Sequence, residues 1–330
     1  GSVTVNADNS GQTVTQGSTS TPDEAPVITQ RESSVETGNT ITINAAENAT
    51  ANVTISDVNI NTSDAAVFTK GKGNVNIELD GTNTLKSSNW HAGLEKNNDG
   101  KLTITDKNEN GKLIATGSRY GAGIGGGNQR NGSNITITGG EITAIGGYSG
   151  AGIGGGNYKD GNDINIAGGK VTATGGNYGA GIGGGNHGNG RNITITDGEV
   201  TAAGGTNGAG IGGGLRKEGE KITVSGDATL KVQGGSGDGW DGAGAGIGNG
   251  GNHNGEFSGS FIPVNAAETE PDTSNLTTGK IEYYAPGADM TKDEPTSTIL
   301  GSGQPTSPGE TAAPVEYRMQ TSASEPVQGN

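Results

Sequence analysis

The chain has 330 residues, 66 of them glycine, with no cysteine, 28% hydrophobic and 4% aromatic residues, and a formal net charge of −15. So little apolar material excludes one large globular core, and the missing cysteines exclude disulfides and thiolate metal sites. The negative charge speaks against nucleic acid or an anionic membrane as partner, and no run reaches the roughly 18 apolar residues of a membrane span.

Gly1-Ser2 reads as a cloning remnant, with a secretion signal expected ahead of it in the natural chain. Residues 1–30 form a Thr/Ser-rich segment of linker-like character. Pro22 and Pro26 lie near its end, and the other eight prolines fall between Pro263 and Pro326. A proline-free body over 31–262 fits a region where nearly every backbone N–H enters a ladder.

Short alternating segments begin early in that body. "NTITINA", "NVTISDVNI" and "AAVFTKGKGNVNIEL" read as the first coils, followed by "WHAGLEKNNDGKLTIT" with strands at Leu102 and Leu113. Phe68 and Leu94 are expected where later coils carry an inward isoleucine.

From residue 121 the pattern becomes strict. "GAGIGGG" starts at Gly121, Gly150, Gly179 and Gly208, at 29-residue intervals, and "GAGIGNG" follows at Gly244 after a step of 36. Each unit continues with two glycine-bounded alternating stretches, such as "NITITGG" from Asn134 and "EITAIGG" from Glu141. Three short period-2 segments per coil, rich in β-branched residues, predict an all-β parallel β-helix of seven to eight coils, expected to be right-handed. Alternation turns Ala122, Ile124, Ile135, Ile137, Ile142 and Ala144 inward. It leaves Gly121, Gly123 and Gly125 facing outward, so that Gly123, Gly152 and Gly181 would stack as a strip without side chains. The last glycines with Asn128, Asn157 and Asn186, and the dipeptides such as Asn131-Gly132, would turn the corners.

The column before the motif reads Trp90, Tyr120, Ser149, Tyr178, Asn207, with Tyr148 one place away. Aromatic rings beside a flat strip, with Asn and Thr nearby, suit the apolar faces of sugars; the alternative is that the rings only shield backbone. Asn128, Asn157 and Asn186 are candidate ligand contacts or an amide ladder. Glu141, Lys170 and Glu199 alternate in sign along one column. The threonine columns resemble ice-binding arrays but are interrupted at Asn165, Ile114 and Lys231. The insertion "GDGWDG" carries Asp238 and Asp241, weak candidates for a calcium ion, with Trp240 expected to cap the core. No other cofactor is expected.

Residues 263–330 are rich in Pro, Thr, Ser and Glu and read as a linker or stalk, within which "KIEYYAP" and "PVEYRMQ" alternate well enough to dock as strands.

The units "GAGIGGG…ITITGGxVTATGG" resemble the glycine-rich surface β-helices of Gram-positive bacteria. Their layout is similar to the calcium-associated polysaccharide-binding β-helix domains, whose acidic "DGI" positions are Ala-Gly-Ile here. That resemblance implies an extracellular, secreted or wall-attached adhesion module for a host or cell-wall polysaccharide, with a host surface protein as a further partner. A polysaccharide lyase or glycosidase on the same scaffold, or a structural stalk, are the alternatives. No carboxylate pair of glycosidase spacing stands out.

Overall fold

The computed structural model describes residues 1–255 and 261–303, and among these it contains strands and turns but no helix. The architecture is a parallel β-solenoid of about seven turns with ~29 residues per turn. In one sheet the two-residue strands Ile124–Gly125, Ile153–Gly154, Ile182–Gly183, Ile211–Gly212 and Ile247–Gly248 lie side by side, continuing back through Leu94–Lys96, Val67–Gly71 and Ile41–Ala45. The other two strand columns share a second sheet, where Ile135–Ile137 and Glu141–Ile145 merge one coil later into the bent strand Gly161–Thr174.

The register stacks like on like. Ile124 pairs with Ile153, Ile153 with Ile182 and Ile182 with Ile211. Ile135 lies over Ile164, Ile193 and Ile222. Ile142 lies over Val171, Val200 and Leu230. These side chains are buried in a single continuous cluster, and the outward Thr and Asn of the same strands are half-buried. The sign-alternating column gains a member, because Lys112 pairs with Glu141 at 2.9 Å. Phe68 does not enter the core: Val67 pairs with Leu94, which turns Phe68 outward opposite Glu95. A one-residue shift in a period-2 segment exchanges faces.

The glycine strip is not on the surface. Residues 121–127 are all buried, as are Gly150, Gly152, Gly179 and Gly181. At Gly123, Gly152 and Gly181 the place of the missing side chain is taken by backbone, from the ends of the strands Glu141–Ile145, Gly161–Thr174 and Gly190–Ala203 and from the next coil's glycine carbonyl. A Cβ on Gly150 would stand 2.0 Å from the Gly121 carbonyl oxygen, and one on Gly152 only 2.7 Å from the Thr174 nitrogen. Two of the glycine roles therefore differ. Gly125 and its equivalents have φ between 132° and 136°, a conformation strained for any L side chain. Gly132 and its equivalents lack a positive φ and exist for contact, since a Cβ there would meet the Gly154 oxygen at 1.8 Å. The left-handed residues at these corners are instead Gln129, Tyr158, His187 and Arg216, with φ from 52° to 60°, and Asn134, Asp163, Asn192 and Lys221, with φ from 53° to 57°.

Both ends are closed. Val3–Asp8 adds a parallel strand to Ile41–Ala45 and folds back with Gly11–Gln16 and Thr19–Pro22, so the N-terminal segment is a folded hairpin cap and not a linker. At the other end Lys280–Tyr284 pairs with Thr229–Gln233 and is itself covered by Ser297–Leu300. Tyr283 succeeds Val232 in the inward column, filling the end of the core with an aromatic ring whose hydroxyl pKa burial raises. Trp240 is 66% exposed and does not cap the core as expected. The N–H groups of Gly246 and Ile247, which would feed a further coil, donate to the Glu268 carboxylate at 2.6 and 2.7 Å; an edge satisfied in this way does not recruit another strand. "PVEYRMQ" lies outside the described residues.

The packing predicts that Gly152→Val, which must push apart two coils, costs more stability than Ile153→Val in the adjacent core place. The latter is expected to lose about 0.5–1.5 kcal/mol. Equilibrium denaturation of both variants checks the order.

Candidate functional site

Where the folded-back loops and the corner residues emerge, they bring side chains together on one edge of the solenoid. Arg119 begins a row there, its guanidinium carbon 5.4 Å from the Tyr120 ring centroid and 5.6 Å from that of Tyr148. Tyr148 meets Tyr178 edge to face, with centroids 5.1 Å apart and hydroxyls at 3.2 Å. The shared hydroxyl contact, with burial and the carboxylates of Asp238 and Asp241 adding to it, pushes the Tyr178 pKa up to about 12. The Tyr178 hydroxyl is therefore neutral at any physiological pH.

Beyond Tyr178 the row opens into a depression of about 340 Å³. Tyr158 and His187, successive left-handed corner residues, form one wall with ring centroids 5.4 Å apart and tilted by 31°. Trp240 forms the opposite rim, and Leu215 and Asn186 are also in the lining. Tyr158 and Trp240 are among the most exposed apolar side chains of the described residues, at 58% and 66%.

The insertion that carries Trp240 is held by its own aspartates. Asp238 accepts hydrogen bonds from the N–H groups of Trp240 and Asp241 at 2.8 and 2.7 Å. Asp241, its side chain 6% exposed, accepts two from Arg216 at 2.8 and 2.9 Å and pairs with His253 at 2.9 Å. Burial opposes the charge of Asp241, but Arg216 and His253 outweigh it and hold the carboxyl below its ordinary range. The two aspartates proposed for calcium thus face N–H donors and the Arg216 guanidinium, the reverse of an oxygen cage. Among the described residues no three His, Asp or Glu side chains gather as a metal site.

The asparagines run as an amide ladder: Asn157 donates to Asn128 at 3.3 Å and Asn186 donates to Asn157 at 3.0 Å. Asn157 and Asn186 are buried, so the ladder ties coils together and offers a ligand little. It ends at Asn186, whose amide oxygen meets Nδ1 of His187 at 2.6 Å. Burial, with Arg216 and Lys217 adding, holds the His187 pKa below its ordinary value. The ring is therefore neutral at pH 7, with Nδ1–H donating to Asn186 and Nε2 left as an acceptor.

Of the residues singled out in the sequence, Tyr120, Tyr148 and Tyr178 come together. Trp90, 62% exposed at φ 80°, makes no ring contact with them among the described residues. Gly123, Gly152 and Gly181 are buried against the backbone of Ile145, Thr174 and Ala203 and cannot touch a ligand. The corner column Gln129, Tyr158, His187, Arg216 was the missed signal: it follows each ladder position at the same 29-residue interval.

The fold and the repeat sequence both support a β-helix repeat protein. Residues 109–128, 135–157, 164–186 and 193–215 match the family model described as a β-helix repeat. No curated protein and no solved structure matches the chain.

Asp241 sets an acid-side limit on stability. Its folded pKa is lowered, so its charged form stabilises the fold above the ordinary aspartate pKa, and that contribution is lost as pH falls through the lowered value. Asp241→Asn is expected to remove this part of the acid limb. It should also destabilise at neutral pH, because Arg216 and His253 lose their partner. Urea denaturation at stepwise pH reads both effects.

Proposed function

We propose that the protein is an extracellular glycan-binding or adhesion module of a bacterial surface, with a host or cell-wall polysaccharide as ligand. The observation that carries this reading is the row of rings in which the exposed Tyr148 and the half-buried Tyr178 lead to a shallow depression lined by Tyr178, Tyr158, Trp240 and an uncharged imidazole. Exposed aromatic rings are costly to leave in water unless something covers them. Sugar rings present apolar C–H faces to such rings and hydroxyls to groups like the Tyr178 hydroxyl and the His187 acceptor.

The shape favours a chain over a single residue of sugar. Tyr120, Tyr148 and Tyr178 follow one another along the solenoid axis, where adjacent coils repeat at about 4.8 Å, and the depression continues the same line. An extended polysaccharide laid along the axis would meet one ring after another. Rigid rings on a rigid scaffold lose little entropy on contact, which suits a site whose individual contacts are weak. The contact surface in this reading consists of side chains and not of bare glycine backbone.

The test is retention on a panel of immobilised neutral and acidic polysaccharides, with and without calcium. Tyr178→Ala combined with Trp240→Ala should cut retention at least tenfold while the melting temperature stays within a few degrees, since neither ring belongs to the buried core. A panel that retains nothing, or retention untouched by the double substitution, removes the reading.

A further inference from the structure

A second depression, of about 390 Å³, lies lower on the solenoid, where the strict repeat begins. Its origin is a mismatch between coils. Eleven residues separate Ile124 from Ile135, and the same holds in the next three coils, but only eight separate Leu94 from Leu102. The longer loop of residues 128–134 therefore overhangs the shorter one of 97–101.

The pairing of Glu95 with Gly125 puts Lys96 in the place that Gly126 holds in the following coil. There a Cβ would stand 1.9 Å from the Arg130 carbonyl oxygen, because the longer loop fills the space. In the earlier coil a lysine side chain occupies it instead. Lys96 is only 5% exposed and its ammonium donates to the Asn98 carbonyl oxygen. Among the described residues it forms no ion pair with a carboxylate, and its neighbour Glu95 is engaged by His91 at 2.7 Å.

Arg130 and Lys159, from the next two coils, line the same depression with Asn131 and Ser133, and neither cation forms an ion pair among the described residues. Asp99 is the single acidic residue in the lining. Three cations facing one carboxylate, in a chain of net charge −15, is a local reversal of sign. A buried ammonium is costly unless paired, and the one nearby carboxylate, Asp99, forms no ion pair with Lys96 and is outnumbered by the three cations.

We propose that this depression binds a small oxyanion, a carboxylate or sulfate group, held by Lys96 at the floor and by Arg130 and Lys159 at the walls. Charge-assisted hydrogen bonds to such groups are among the stronger polar contacts available. Burial holds the Lys96 pKa down at about 8, with Asp99 opposing, so the ammonium is charged at neutral pH. The site stands independently of the aromatic row, since the two have no lining residue in common.

The full chain is titrated by calorimetry with inorganic sulfate, glucuronate and glucose 6-sulfate, with glucose as neutral control. Saturable binding of an oxyanion is expected, weakened about tenfold or more by Lys96→Met, the equivalent of one charge-assisted contact. Arg130→Ala and Lys159→Ala, on the surface, should each weaken it severalfold without unfolding the chain, and they carry the test if Lys96→Met does not fold. A preference for the sugars over inorganic sulfate would identify an acidic saccharide as the source; the reverse would identify a free ion. Tyr178→Ala with Trp240→Ala should leave this binding unchanged, which separates its failure from that of the glycan reading. No saturable signal, equal binding of glucose, or indifference to all three cation substitutions would overturn the proposal.

Discussion

The structure depends on coils that approach one another through backbone alone. Along the motif, the carbonyl oxygen of one coil lies about 1.9–2.1 Å from where the next coil's side chain would begin, as at Gly121, Gly150, Gly179, Gly208 and Gly244. No residue but glycine fits such a gap. The reward is a dense ladder in which, for example, Gly123, Ile124 and Gly126 all donate to the following coil. Glycine is a poor strand residue by intrinsic preference, so here contact overrides propensity. The apolar core can be thin because much of the interior is hydrogen-bonded backbone.

This seam also decides where side chains can gather. Because strand-end backbone already fills the space at Gly123, Gly152 and Gly181, the ring-bearing residues of the loop before each motif come out at the rim, not over the strip. That is how Tyr120, Tyr148 and Tyr178 reach the same edge as the left-handed corner residues Tyr158 and His187. The one insertion in the repeat falls at this edge as well, and adds Trp240 with the Asp241–Arg216 pair that fixes it. A strictly periodic scaffold supplies the row, and its interruption supplies the depression.

The strand columns were legible because alternation and the 29-residue interval leave little choice: once Ile124 is inward, Ile153 and Ile182 must lie on it. The fate of the glycine strip was not legible. Alternation says which way Gly123 points but not what lies there, and a position without a side chain looks the same in sequence whether water or backbone covers it. Phe68 misled for a related reason. In a coil without glycine markers nothing fixed the register, and the adjacent Val67 took the core place. Trp240, expected to cap the core, stands exposed on the insertion, and Tyr283 closes that end from a segment with linker composition. The corner column at Tyr158 and His187 was readable in the interval, but residue types that change at every coil, from Gln129 to Arg216, do not look like a repeat.

The early coils show what happens when the seam is abandoned. Where "LEKNNDG" replaces "IGGGNQRNGSN", the buried glycines give way to Glu95 and Lys96, and the loop shortens. Side chains then fill the volume that backbone fills elsewhere, and Glu95 accepts from His91 and from the Ala92 N–H. Gly127 of the next coil packs directly on that carboxylate, since a Cβ there would meet it at 2.8 Å. Backbone packed on backbone is neutral and uniform, whereas side chains in the same place bring charge, and charge in a confined place needs an answer. The solenoid thus carries its unusual chemistry at the two points where the repeat breaks, the insertion near Trp240 and the step at Lys96, and keeps the intervening coils as a ruler between them.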